Sequence, residues 1–247
     1  MIGKILFISL TVFALTSIAG EKGQKWREDF EAKNKGGGLP EGWEVFGTKW
    51  GVNKTCFELK NKKEKKEPVA SILGVLKIFA DKATGALFCE AYKYVDLKKT
   101  PIIRWRWHVN KFPKGGDGRK SDCDDQAIAI YIGANDWMVK KSISYRWETE
   151  TPQGLEGSIS YGGGAVKVKW FCLRNKKTGT GKWVTEERNV AKDFKKAFGF
   201  IPKEFVLSIG ANSQNTQSES IAFIDYIEFL PLDKEKDIKM AMKSDKK

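Results

Sequence analysis

The residues best equipped for chemistry are Arg104, Arg106 and His108, set at alternate positions in the run Ile103-Arg104-Trp105-Arg106-Trp107-His108-Val109. Successive side chains of an extended strand point to opposite faces. These three therefore share one face, while Ile103, Trp105, Trp107 and Val109 share the other. The same alternation sets Ser144, Arg146 and Glu148 against Ile143, Tyr145 and Trp147, and Lys167 and Lys169 against Val166, Val168, Trp170 and Cys172. If the strands are neighbours in one sheet, one face is apolar and packed, and the other is lined by Arg, Lys and a few carboxylates. A guanidinium offers a planar fork of donors suited to carboxylates, sulfates and sugar hydroxyls. The pattern thus predicts an extended, anionic glycan held on this face by Arg104, Arg106, Arg146 and Lys169, with His108, Asp125 and Tyr131 completing the polar site. The plain alternative is a solvated face laced with salt bridges to Glu148, Glu186 and Asp125.

Cleavage is the rival to binding. In a lyase, His108 would abstract a proton, a Tyr would protonate the leaving oxygen, and Arg would neutralise a uronate. In a hydrolase, the two-residue spacing of Glu148 and Glu150 would supply a carboxylate pair. There is no G-x-S-x-G, and one His could serve only one triad. A third reading is an envelope scaffold whose polar face is ordinary surface. Asp122, Asp124 and Asp125 gather enough hard oxygen to hold Ca²⁺, but they do not fit the D-x-[DN]-x-[DN]-G loop. Turn hydrogen bonds, or pairing with Arg104 or Arg106, would use them equally well. No cofactor is otherwise expected.

Positioning such a face requires many strands. Runs of β-branched and aromatic residues recur from Trp43 to Phe229, punctuated by Gly, Pro and Lys-rich turns. Eleven or so strands with few helices predict an all-β, two-sheet antiparallel β-sandwich, jelly-roll-like, with one short helix. Val190, Phe194 and Phe198 recur at four-residue spacing and Gly199 can end that helix. Lys4, the apolar run Ile5 to Leu15 and the small residues Ser17 and Ala19 read as a signal peptide over 1–19. A linker over 20–41, the sandwich over 42–231 and a charged tail over 232–247 follow. Nothing else approaches the length of a membrane span.

Export to the periplasm or beyond makes disulfides among Cys56, Cys89, Cys123 and Cys172 available, although each Cys also suits a small buried position. The absence of C-x-x-C and the single His argue against a zinc site. The net charge of +13 comes mostly from Lys runs. With no recognition motif and an exported chain, it does not indicate nucleic acid. Asn53-Lys54-Thr55 matches a glycosylation acceptor, a triplet too frequent to bear weight.

Several stretches in this order are similar to an exported bacterial family, domain of unknown function 3047. They are L-P-E-G-W ending at Trp43, K-T-P-I-I-R-W-R-W at Lys99 to Trp107, and D-D-Q-A-I-A-I-Y-I at Asp124 to Ile132. S-Y-R-W at Ser144 to Trp147, G-K-W-V-T-E-E-R-N-V at Gly181 to Val190, and D-F-K-K-A-F-G at Asp193 to Gly199 complete the set. The resemblance implies a β-sandwich of the kind shared with carbohydrate-binding and glycan-lyase domains, and no particular activity. Relatives tend to carry Asp in the loop before the last strand, where this chain reads Ala211-Asn212-Ser213-Gln214-Asn215-Thr216. The resemblance thus implies that any cation affinity of that loop is reduced here.

Overall fold

The computed structural model describes residues 23–31, 38–46, 51–60, 74–136 and 139–233. The expected signal peptide and nearly all of the expected tail lie outside them. Among the described residues the strands are β1 (Trp26–Glu28), β2 (Glu44–Phe46), β3 (Asn53–Lys54), β4 (Cys56–Lys60), β5 (Val75–Asp81), β6 (Ala83–Cys89) and β7 (Ile102–Lys111). After them come β8 (Gln126–Asp136), β9 (Val139–Trp147), β10 (Glu156–Tyr161), β11 (Val166–Arg174) and β12 (Trp183–Asn189). Helix α1 (Val190–Phe198), β13 (Val206–Asn212) and β14 (Glu219–Leu230) close the series. The small sheet runs β12-β7-β14-β5-β4, with β1 also on β14; the large sheet runs β10-β11-β9-β8-β13-β6-β2, with β3 also on β6. Pairing is antiparallel except between β11 and β9 and between β3 and β6.

The two sheets face each other across a core that follows the predicted alternation in β7 and β9. In β11 the expectation is inverted, since Phe171 packs in the core while Val166, Val168 and Trp170 share the outer side with Arg146. Ile103, Trp105, Trp107 and Val109 from β7 meet Ile143, Tyr145 and Trp147 from β9, all fully buried. Trp105 stacks on Tyr145 at 5.4 Å, and Trp107 packs on Trp147 at 5.6 Å. Helix α1 begins where Asn189 accepts a hydrogen bond from the Lys192 amide and stops at Gly199, whose φ of 87° suits glycine. It is tied to the core by Tyr145, which donates to Asp193 at 2.8 Å.

Two expectations are corrected by the strand list. Part of the segment predicted as a linker joins the sandwich, since β1 pairs with β14 and Phe30 is fully buried. The edge strand β10 is missing from the sequence reading because its largely exposed residues, EGSISY, carry little apolar alternation. All four cysteines are free thiols: Cys56 is exposed, Cys89 and Cys172 are buried, and Cys123 is partly covered.

Candidate functional site on the outer face of the large sheet

The polar residues predicted to share a face are split between two. Arg104, Arg106 and His108 lie on the outer side of the small sheet, and Arg146 and Tyr131 on the outer side of the large one, with the core between. On the small sheet Arg104 is held by Glu187 at 2.7 Å and Glu228 at 3.1 Å, and Lys25 and Arg27 also reach Glu228. Arg106 meets Asp225 at 3.4 Å and lies over Trp183. His108 is fully buried between Trp183 and Phe223, and burial lowers its pKa against a weaker upward pull from the Gly181 main chain. Around Arg104 and Arg106 this face is taken up by ion pairs. A lyase pairing of His108 with Tyr131 is excluded by their placement on opposite outer faces.

On the large sheet, register builds a row running across the strands: Phe88, Ser208, Tyr131, Ser144, Trp170 and Gly157 stand abreast on β6, β13, β8, β9, β11 and β10. Aromatic and small residues alternate along it. Phe88 and Tyr131, both partly exposed, are two strands apart, which is about 10 Å at the usual strand spacing. Between and beside them the sheet presents Ser208, Gly210, Gly133 and Ala86, residues with small side chains or none. Phe46, 58% exposed, packs edge-on against Phe88 and extends the aromatic wall on that side.

A β-bulge shapes the other margin. Ala129 pairs with Gly210 and Gln126 with Asn212, so three steps on β8 match two on β13. Ala127 and Ile128 consequently both pack in the core, and Gln126 emerges on the outer side. Gln126 is 5% exposed and its Nε2 donates to the Tyr131 hydroxyl at 2.9 Å, yet its Oε1 has no hydrogen-bond partner. Burial raises the pKa of Tyr131, opposed by nearby Arg146.

Arg146, only 1% exposed, lies along this surface beside Trp170. Its Nε donates to Ser144, and its Nη1 reaches Asp124 at 2.6 Å and Glu148 at 3.4 Å. Burial alone would lower its pKa, but Tyr131, Asp124 and Glu148 outweigh it and keep the guanidinium charged. Tyr161, on the exposed edge strand, donates to the other oxygen of Asp124 at 2.6 Å. Glu148 also accepts from the Gly118 amide at 2.8 Å, an approach so close that a Cβ at Gly118 would stand 2.5 Å from its Oε1. Glu148 and Glu150 form no carboxylate pair: β9 ends at Trp147, Glu148 is buried, and Glu150 turns out to bond Lys176.

The remaining predicted residues take structural roles. Asp125 accepts from the amides of Asn215 and Thr216 and from the Thr216 hydroxyl, which pins the 213–216 loop. Asn212 and Asn215 donate to the Asp124 carbonyl. Asp122, Asp124 and Asp125 thus do not converge, and among the described residues no group of three metal-ligating side chains does. Lys169 points to the side opposite Arg146, where it meets Glu156 at 3.5 Å and packs near Phe171. Gln126, Phe88, Phe46 and Tyr161 were not foreseen. The bulge reverses the face on which Gln126 would be counted, and Tyr161 belongs to the strand without alternation.

In solved structures, a thermostable cellulase derived from a Rhodothermus marinus enzyme is 16% identical, with 75% of this chain and 91% of that one covered at a TM-score of 0.40. A xylan-binding domain from Paenibacillus barcinonensis is 10% identical, with coverage of 86% and 99% and a TM-score of 0.41. An adhesin domain of Lys-gingipain from Porphyromonas gingivalis is 12% identical, with coverage of 85% and 99% and a TM-score of 0.39. No curated protein sequence matches significantly. The family model described as protein of unknown function (DUF3047) matches residues 41–228, most of the chain, and the chain belongs to that family.

Proposed function

We propose that this protein binds a glycan on the outer face of its large sheet, in the strip between Phe46 and Phe88 on one side and Tyr131 and Tyr161 on the other. The observation that carries the reading is Gln126, a buried amide beside Tyr131 whose carbonyl oxygen has no partner. A buried acceptor left unmatched costs free energy, and such groups in native proteins call for an explanation. Here it borders a surface where the partly exposed rings of Phe88 and Tyr131 flank Ser208. Rings with a polar tip and small hydroxyls suit a ligand that is apolar on its ring faces and polar at its edges, as sugars are. On the opposite outer face Arg104 and Arg106, the side chains best suited to a ligand, are already bonded to carboxylates.

The leader pattern in the first nineteen residues supports a site of action outside the cytoplasm. Binding of a panel of oligosaccharides by calorimetry tests the reading. Tyr131→Ala should weaken the best ligand about tenfold or more, the equivalent of about 1.4 kcal/mol, while the variant remains folded. A panel in which nothing binds, or a Tyr131→Ala protein that binds as well as the parent, would overturn it.

A further inference from the structure

We infer that the ligand of this face is an uncharged glycan chain lying across the strands rather than along them; the inference rests on the proposed binding of a glycan to this face. The floor of the strip, Ala86, Ser208, Gly210, Gly133 and Ser142, carries no charge. The guanidinium beside it belongs to Arg146, which is 1% exposed and bracketed by Asp124 and Glu148. One positive charge against two negative ones gives an acidic balance at the site, in a chain whose overall charge is +13. A face built to hold uronates or sulfates would present an accessible guanidinium fork. Lys54, Lys140 and Glu44 stand exposed at the rim, and their mixed signs create no anion field.

Direction follows from register. The exposed aromatic positions Phe88 and Tyr131 lie in one row perpendicular to the strands, with Ser208 between them. Phe46 flanks that row at the β2 edge, and Tyr161 belongs to the opposite edge strand, β10. A chain crossing the strands meets two exposed rings, Phe88 and Tyr131, about 10 Å apart. A chain running along β8 would meet only Tyr131, since Ala129 and Gly133 are its neighbours on that face.

The test compares neutral oligosaccharides of increasing length with acidic ones on the full chain, at low and high salt. Neutral chains should bind with affinities that change less than about twofold between about 0.05 and 1 M salt, a range over which the Debye length shrinks to about 3 Å. Phe46→Ala, a change at the β2 edge of the strip, should weaken longer oligosaccharides about three- to tenfold and the shortest bound one by a clearly smaller factor. An acidic glycan that binds tightest, loses affinity with salt and is displaced by Tyr131→Ala would overturn the inference while leaving the site intact. A Phe46→Ala effect equal at every length would overturn the crossing direction. If no glycan binds at all, the parent reading fails instead.

Discussion

Arg146 and Asp124 form a 2.6 Å ion pair on the outer side of the large sheet, with side-chain exposures of 1% and 7%. A pair with both members this enclosed behaves differently from the pairs of Arg104 and Arg106 on the other side of the molecule, whose guanidiniums are about a third exposed.

Arg146→Ala should therefore destabilise the fold by about 3–5 kcal/mol, because Asp124 and Glu148 would lose the cation they share while staying buried. Arg104→Ala should cost less, about 1 kcal/mol, because both of its partners stay served: Glu228 keeps Lys25 and Arg27, and Glu187 is exposed. Arg106→Ala, whose guanidinium is itself about a third exposed, should also cost less than Arg146→Ala. Denaturant unfolding of the three variants reads the contrast directly. Equal losses would mean that the two surfaces do not differ as described.

Trp105→Ala should cost about 3–5 kcal/mol, the usual range for truncating a buried aromatic. The ring is fully buried and stacked on Tyr145. Tyr145→Phe keeps that stacking and removes the hydroxyl's bonds to Asp193 and Arg188, which stay bonded to each other at 2.9 Å. Its cost should be near 0.5–1.5 kcal/mol. Thermal unfolding that ranks the two variants the other way would contradict the packing.

Asp117 gives the fold a specific acid sensitivity. Hydrogen bonds from Arg119, helped by Thr151, hold its carboxyl at about 2, below the ordinary 3.8. A carboxyl whose pKa is depressed on folding stabilises fully above its unfolded value and loses that contribution as pH falls through the folded one. The stability gap between the parent and Asp117→Asn should thus be widest above about pH 4 and narrow toward pH 2. Unfolding measured across that window checks it; a constant gap would show that the charge is not what matters.

Gly157→Ala should destabilise by about 1–3 kcal/mol, the usual cost of forcing extra volume into a packed site. A Cβ at residue 157 would lie 2.2 Å from the Trp170 ring. Changed tryptophan fluorescence should accompany the loss. An unperturbed, equally stable variant would show that Trp170 does not lie over β10.

Much of the fold is written in residue alternation. The run from Ile103 to Val109 reveals a strand with one apolar face, and the core packs on that face. Spacing of Val190, Phe194 and Phe198 and the glycine after them locate the helix. Alternation says which side of a strand a residue occupies, but not which sheet the strand joins. Arg106 and Arg146 have equivalent local patterns and end on opposite surfaces because β7 pairs with β14 and β9 pairs with β8. Sheet membership is decided by long-range pairing, which no window of sequence contains. Gln126 escaped for a different reason: the extra residue at the bulge changes the parity by which its side would be counted.

That extra residue acts as a phase shift between the loop before β8 and the rest of the strand. A strand of the same length forced into a continuous two-residue rhythm would turn Gln126 toward the interior, carrying a primary amide into a region packed with Trp and Ile. Asp124 and Asp125, just upstream, would turn with it, and the contacts to Arg146, Tyr161 and the 213–216 loop would fall out of step together. The bulge thus keeps the polar margin of this surface outside the molecule.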